Sequence, residues 1–259
     1  MNDRRNAFRP WLAFSLGIVL GIPATASAQR LDRNVIPTPA PTPALHVPAW
    51  TKVTLPNGAT LVVIEKHDLP LVALDIDFIG GTTTYESADK RGAADFAASM
   101  LSEGTTTRTA DQLSDAEQLL GTSIEASVSP ETGTIRFTSL RDKFEPALAL
   151  AADMMLNSTF PDSALERIRA QTLVRLTEER DEPDAIASKV FATITYGREH
   201  PYGRRMTEQG VKTIARSDVV SFARSYYEPG RAVITVSGDI DAKTARAAVE
   251  KALAAWKPG

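Results

Sequence analysis

The side chains able to hold a metal, attack a carbonyl or shuttle a proton are thinly spread in this sequence. Its three histidines, His46, His67 and His200, fall in a proline-rich stretch, after a predicted strand and before a proline, so they share no helix face on which imidazoles would converge on one ion. There is no cysteine, which removes disulfides and thiolate metal sites and leaves the redox compartment open. Asp75 and Asp77 lie on one face of a predicted strand, but acid–base work needs opposing carboxylates in separated environments. They read as solvent-facing or cavity-lining. Ser99 has no neighbouring base to make it a nucleophile, and Gly80-Gly81 is followed by no phosphate-binding helix signature.

The stretch Gly92 to Thr105 organises the rest. Read as a helix, it places Ala93, Phe96, Ala97, Met100 and Leu101 on one face at i, i+3, i+4, i+7 spacing. Asp95, Ala98, Ser99 and Ser102 share the other, nearly featureless side. Upstream, Val53–Leu55 and Leu61–Glu65 flank Asn57-Gly58, a strong hairpin signal. A third strand, Leu71 to Ile79, alternates apolar and charged residues up to Gly80-Gly81.

Downstream the pattern predicts a helix Ala110 to Leu120 stopped by Gly121, then a hairpin of Ser123–Ser129 with Thr134–Leu140. Helices follow over Lys143–Leu156, over Asp162 to about Glu182 with Asp162 as cap, and over Asp184–Tyr196. After a loop at His200–Arg204 come helices near Thr207 and over Ser217–Tyr227, a strand Ala232–Ser237 and a helix Asp241–Trp256. Strands come early and helices cluster late, so the fold class is α+β, a mixed and largely antiparallel sheet packed against helices.

The 259 residues, 43% hydrophobic and 24% charged, suit a globular protein with a sizeable core. A net charge of −3 gives no basic footprint for nucleic acid. Arg4, Arg5 and Arg9, an apolar run from Trp11 to Ile22 and Ala26-Ser27-Ala28 read as a signal peptide over residues 1–28, too short in its apolar part to span a bilayer. Residues 29–49, with five prolines from Pro37 to Pro48, read as a Pro-rich linker. The domain proper is then 50–259, and the localisation expected is periplasmic or secreted.

Leu55-Pro56-Asn57-Gly58, Gly80-Gly81, Gly92 to Thr105, His200-Pro201-Tyr202-Gly203, Tyr226-Tyr227-Glu228-Pro229 and Val236-Ser237-Gly238-Asp239 occur in an order that resembles one N-terminal domain of the pitrilysin/insulinase metallopeptidases, the inverted zincins, of the mitochondrial-processing-peptidase type. In active members a Gly-x-x-His-x-x-Glu-His run carries two zinc ligands and the general base, and a Glu on the long downstream helix is the third ligand. By that resemblance the ligand and base positions here are Asp95, Ala98, Ser99 and Arg175. Glu178 and Glu179 lie about one turn, roughly 5 Å, beyond the third. Zinc needs deprotonated nitrogen, sulfur or carboxylate donors, and hydrolysis needs a base.

The resemblance implies a non-catalytic, exported homologue without cofactor, zinc being the cofactor of active members. It contributes chamber wall and peptide binding to a complex with a zinc-bearing pitrilysin-type subunit, and a second domain is absent from this chain. The alternatives are an active zinc metalloendopeptidase and a stand-alone periplasmic peptide-binding module. Peptides would add to a sheet edge within Ser123–Ser129. At the vacated metal position an Asp95–Arg175 ion pair is expected, with Arg175–Glu179 on one helix as the competing arrangement.

Overall fold

A computed structural model describes residues 48–258. The leader and nearly all of the linker therefore lie outside the described residues. Six strands form one sheet in the order β1-β2-β6-β3-β5-β4. β1 (Trp50–Thr54) and β2 (Thr60–Glu65) are the hairpin turned by Asn57-Gly58, and Gly58 has a φ of 92° that favours glycine. β3 (Leu71–Ile79) pairs antiparallel with β5 (Thr132–Leu140) and with β6 (Ala232–Gly238); β4 (Glu125–Val128) pairs antiparallel with β5. Only β2 with β6 is parallel, so the sheet is mixed and largely antiparallel, as its sequence pattern predicts.

Strand alternation selects the face that is covered. Leu61 and Val63, Val72, Leu74, Ile76 and Phe78, Ile135 and Phe137, and Ile234 and Val236 are buried against helices, while Ala73, Asp75, Asp77, Val233 and Thr235 on the opposite face are only half-buried. Asp75 stands opposite Arg136 on β5, and Asp77 accepts a hydrogen bond from Thr134 Oγ1 at 3.0 Å. Burial, followed by the field of Asp77, pushes the Asp75 carboxyl pKa up.

The helices are α1 (Thr82–Tyr85), α2 (Ala93–Ser99), α3 (Ala110–Leu120), α4 (Phe144–Asn157), α5 (Asp162–Glu178), α6 (Pro183–Tyr196), α7 (Glu208–Thr213), α8 (Arg216–Tyr226) and α9 (Ala242–Ala252). α3 starts with a reciprocal capping box between Thr109 and Gln112 and ends on left-handed Gly121. α5 departs from expectation at both ends. Pro161 occupies the cap position and Asp162 is the first helical residue. The helix stops at Glu178, short of Glu182: residues 179–181 form a turn, and Glu182, the residue before Pro183, is extended.

The Gly92–Thr105 stretch is likewise shorter as an α-helix than its periodicity suggests. After Ser99 it tightens into a 3₁₀ turn, Met100–Ser102, with Met100 and Leu101 buried. Phe96, Ala97 and Ala93 face the core as expected, but Ala98 is also buried, at 5% exposure. The second side is therefore reduced to Asp95, Ser99 and, in the 3₁₀ turn, Ser102, all exposed.

Candidate functional site

α2 enters from a left-handed Gly92, and its first turn has no cap from the preceding residue. The cap comes from Glu86, six residues upstream, whose Oε1 accepts the Gly92 and Ala94 N–H groups at 2.8 and 3.0 Å. A carboxylate at a helix N-terminus satisfies orphan donors and meets the positive end of the dipole. The Glu86 side chain is only 3% exposed, with Arg91 Nη1 3.7 Å from Oε2. Burial pushes the Glu86 pKa up, opposed by the two backbone hydrogen bonds and by Arg91. Arg91 in turn donates from Nη2 to the Pro201 carbonyl at 2.9 Å, tying the start of α2 to the His200–Gly203 loop.

Asp95 is exposed on the solvent side of α2. Loss of surrounding water pushes its carboxyl pKa up, against the opposing fields of Arg175 first and Arg91 second. α5 thus brings Arg175 near Asp95 without joining the two. Arg175 Nη1 donates instead to Glu179 Oε1 at 2.9 Å, and Glu179 Oε2 receives Lys189 Nζ from α6 at 2.5 Å. The expected Asp95–Arg175 ion pair is therefore replaced by the competing arrangement along α5. The long guanidinium reaches one turn down its own helix, where a carboxylate already fixed by Lys189 awaits it, while the short Asp95 side chain does not reach across. Lys189, followed by burial in the opposite sense, sets the Glu179 pKa below its ordinary value.

The end of the stretch is structural. Thr105 is buried, its Oγ1 donates to Asp153 Oδ2 at 2.9 Å and accepts the Thr107 and Arg108 N–H groups. Asp153 also takes Thr107, Arg108 and Asn157. Burial raises its pKa and these hydrogen bonds outweigh that, leaving it lowered. Neither Glu86 nor Asp153 was visible as a site residue in the sequence, because Glu86 stands outside the three-residue capping-box spacing and Asp153 comes from another helix.

The histidines stay apart. His67 Nδ1 meets Asp239 Oδ1 at 2.6 Å at the end of the sheet, His200 Nδ1 accepts the Tyr202 N–H at 3.2 Å within its loop, and His46 lies outside the described residues. β4 is one of the two sheet edges, the other being β1, and α2 packs beside β4.

Residues 61–208 match the family described as Insulinase (Peptidase family M16). The chain belongs to the insulinase family of peptidases, M16. Residues 213–259 match a second description, Peptidase M16 inactive domain. The boundary between the two matches is not a structural one, since β6 from the second lies between β2 and β3 of the first.

Among similar proteins, the M16 chain is 26% identical over 191 residues to the uncharacterized zinc protease YmxG of Bacillus subtilis, covering 73% of this chain and 46% of that protein. A crystal structure of a peptidase M16 inactive domain from Pseudomonas fluorescens superposes with a TM-score of 0.75 at 26% identity, over 82% of this chain and 52% of that one. The first half of the periplasmic protease PqqL from Escherichia coli shares the fold, with a TM-score of 0.72 at 17% identity over 80% of this chain and 46% of that one. The chain thus spans about half the length of the relatives it matches.

The relatives' name raises zinc, and the residues present do not fit it. Asp95 offers one carboxylate, Ser99 a neutral hydroxyl, Ala98 nothing, and Arg175 a fixed positive charge. Among the described residues no group of three His, Cys, Asp or Glu gathers as a metal site.

Proposed function

We propose that this M16 chain is a non-catalytic, exported homologue that contributes chamber wall and peptide-binding surface to a complex whose zinc-bearing subunit performs the hydrolysis. The observation that carries the reading is the replacement of every donor and base position on the α2–α5 surface: Asp95, Ala98, Ser99 and Arg175. A cation beside the vacated position, engaged with Glu179, opposes a divalent ion electrostatically, and buried Ala98 leaves no group to deprotonate water. The reading as an active zinc peptidase has the name of YmxG in its favour, but it lacks the donors.

Peptide recognition is assigned to the β4 edge. β4 pairs on one side only, so its other side offers backbone N–H and C=O groups to an added strand, with side chains setting preference. Export is supported by the leader pattern, and by the periplasmic setting named for PqqL, which shares the fold. Among the described residues no helix is long and apolar enough to cross a membrane.

The experiment is titration of the chain with an extended, protease-resistant peptide, comparing the unmodified protein with proline variants at Ala126 and at Ser127. Successive residues of an edge strand direct their N–H groups to opposite sides, so one variant removes a donor from the free side and the other disturbs the β5 ladder. Loss of binding in the free-side variant, with an unfolding midpoint unlike that of the ladder variant, supports the edge. Unchanged affinity in both excludes it.

A further inference from the structure

A concave site that includes none of Asp95, Ala98, Ser99 and Arg175 lies elsewhere on the molecule. The end of α4, the turn into α5, α8 and Trp256-Lys257 enclose a cavity of about 440 Å³, a volume suited to a small ligand or a peptide terminus. Its charge runs against that of the molecule. The chain carries −3 overall, yet Arg216, Arg224 and Lys257 line this cavity against the single carboxylate Glu228. Glu228 is already engaged with Arg231, 3.6 Å away. Among the described residues none of the three lining cations forms an ion pair, so their field falls on whatever enters.

The three cations do different things. Arg216 is a brace: its Nε donates to the Phe160 carbonyl and its Nη2 to the Thr159 carbonyl, both at 2.7 Å. Those bonds hold the turn in which Phe160 takes a φ of 47°, the one non-glycine residue with positive φ among the described residues. That conformation is costly for a bulky side chain and persists only where its surroundings over-determine it. The turn buries the Phe160 ring as a fixed apolar wall, beside Met155 and Val220. Arg224 and Lys257 are exposed and uncommitted. Tyr227 also lines the cavity, its ring packed edge-on against Phe78 of the core and its hydroxyl buried away from the opening.

Cations without ion-pair partners beside a fixed apolar wall are complementary to an anion carrying an apolar group. We propose that this cavity binds the carboxylate of an apolar acid, with Arg224 and Lys257 holding the carboxylate and Met155, Phe160 and Val220 packing its side chain. The C-terminal residue of a peptide and a free acyl amino acid present the same chemistry. The assignment does not rest on the β4 edge or on the fate of the zinc position, and it stands or falls separately from both.

Calorimetric titration at low salt with acetyl-Ala-Ala-Leu, its C-terminal amide, acetyl-Leu and acetate tests it. The free-acid tripeptide binds, and the amide and the Arg224→Gln/Lys257→Gln variant each bind roughly tenfold more weakly or worse, since a charge-assisted contact is lost. Both substituted side chains are exposed, so circular dichroism and the unfolding midpoint of the variant stay unchanged. Acetyl-Leu binding as well as the tripeptide supports the site and assigns it to free acids; acetyl-Leu binding tenfold more weakly supports it and assigns it to peptide termini. Equal affinity for acid and amide, acetate binding as tightly as the tripeptide, or no binding by the unmodified chain overturns the proposal.

Discussion

Replacing Glu86 separates two roles that a buried carboxylate can have, accepting hydrogen bonds and carrying charge. Its Oε1 satisfies two α2 N–H groups at 2.8 and 3.0 Å from a side chain only 3% exposed. Glu86→Ala leaves both donors without a partner and leaves Arg91 with the Pro201 carbonyl alone. At about 1–2 kcal/mol for each orphaned donor, with a further contribution from the unpaired guanidinium, the expected loss is about 3–5 kcal/mol. Glu86→Gln keeps the accepting oxygen and removes the charge. Because burial holds the Glu86 pKa above its ordinary value, the folded state favours the neutral form, and the amide costs about 1 kcal/mol or less.

The sign of the pH dependence follows. A carboxyl whose folded pKa is raised contributes stability that is fully present below its unfolded pKa and is lost as pH rises through the folded one. The difference between unmodified protein and Glu86→Gln therefore moves in favour of the variant as pH is raised through that window. Urea unfolding of both variants across the acidic range measures it. An alanine variant within 1 kcal/mol of the unmodified protein, or a glutamine variant as damaged as the alanine one, would refute the reasoning.

Three further expectations rest on separate contacts. Gly133→Ala places a Cβ 2.5 Å from Tyr226 Oη and 2.6 Å from its Cε1, so overpacking in the core between β5 and α8 costs about 1–3 kcal/mol in denaturant unfolding; a neutral result would mean that the tyrosine moves freely. Arg175→Ala breaks a pair whose arginine is 55% exposed, and it changes stability by less than about 1 kcal/mol, whereas a larger loss would mean that the pair braces α5. His67 has its pKa raised first by its hydrogen bond to Asp239, so the stability it adds is present below the ordinary histidine range and disappears as pH rises through the raised value. In His67→Gln that step in a pH series of unfolding midpoints vanishes, and a step that persists would assign it elsewhere.

Local chemistry made much of the fold legible. Asn57-Gly58 fixed the first hairpin, Gly121 ended α3, and the alternation of Leu71–Ile79 named the buried face of β3. The sequence was less informative wherever two elements compete for one group. α5 ended in a turn at 179–181 rather than running to Glu182, the cap of α2 came from a residue six positions away, and Arg175 had two carboxylates within its field. Its choice of Glu179 is set by Lys189 from α6, a contact between helices that sequence spacing does not encode. The frame around the family's metal position was readable, as were the two pairings open to Arg175, and the choice between them was not.

The central claim is that the α2–α5 surface has lost metal chemistry at four positions together. Its most direct test is equilibrium dialysis against zinc, with the bound metal counted for the unmodified chain and for Asp95→His/Ala98→Glu/Ser99→His/Arg175→Glu, each checked for retained fold by circular dichroism. The account predicts no chelator-sensitive zinc on the unmodified chain and about one ion per folded molecule of the variant. One tightly held zinc per unmodified chain, removed by a chelator and accompanied by peptide cleavage, would contradict it.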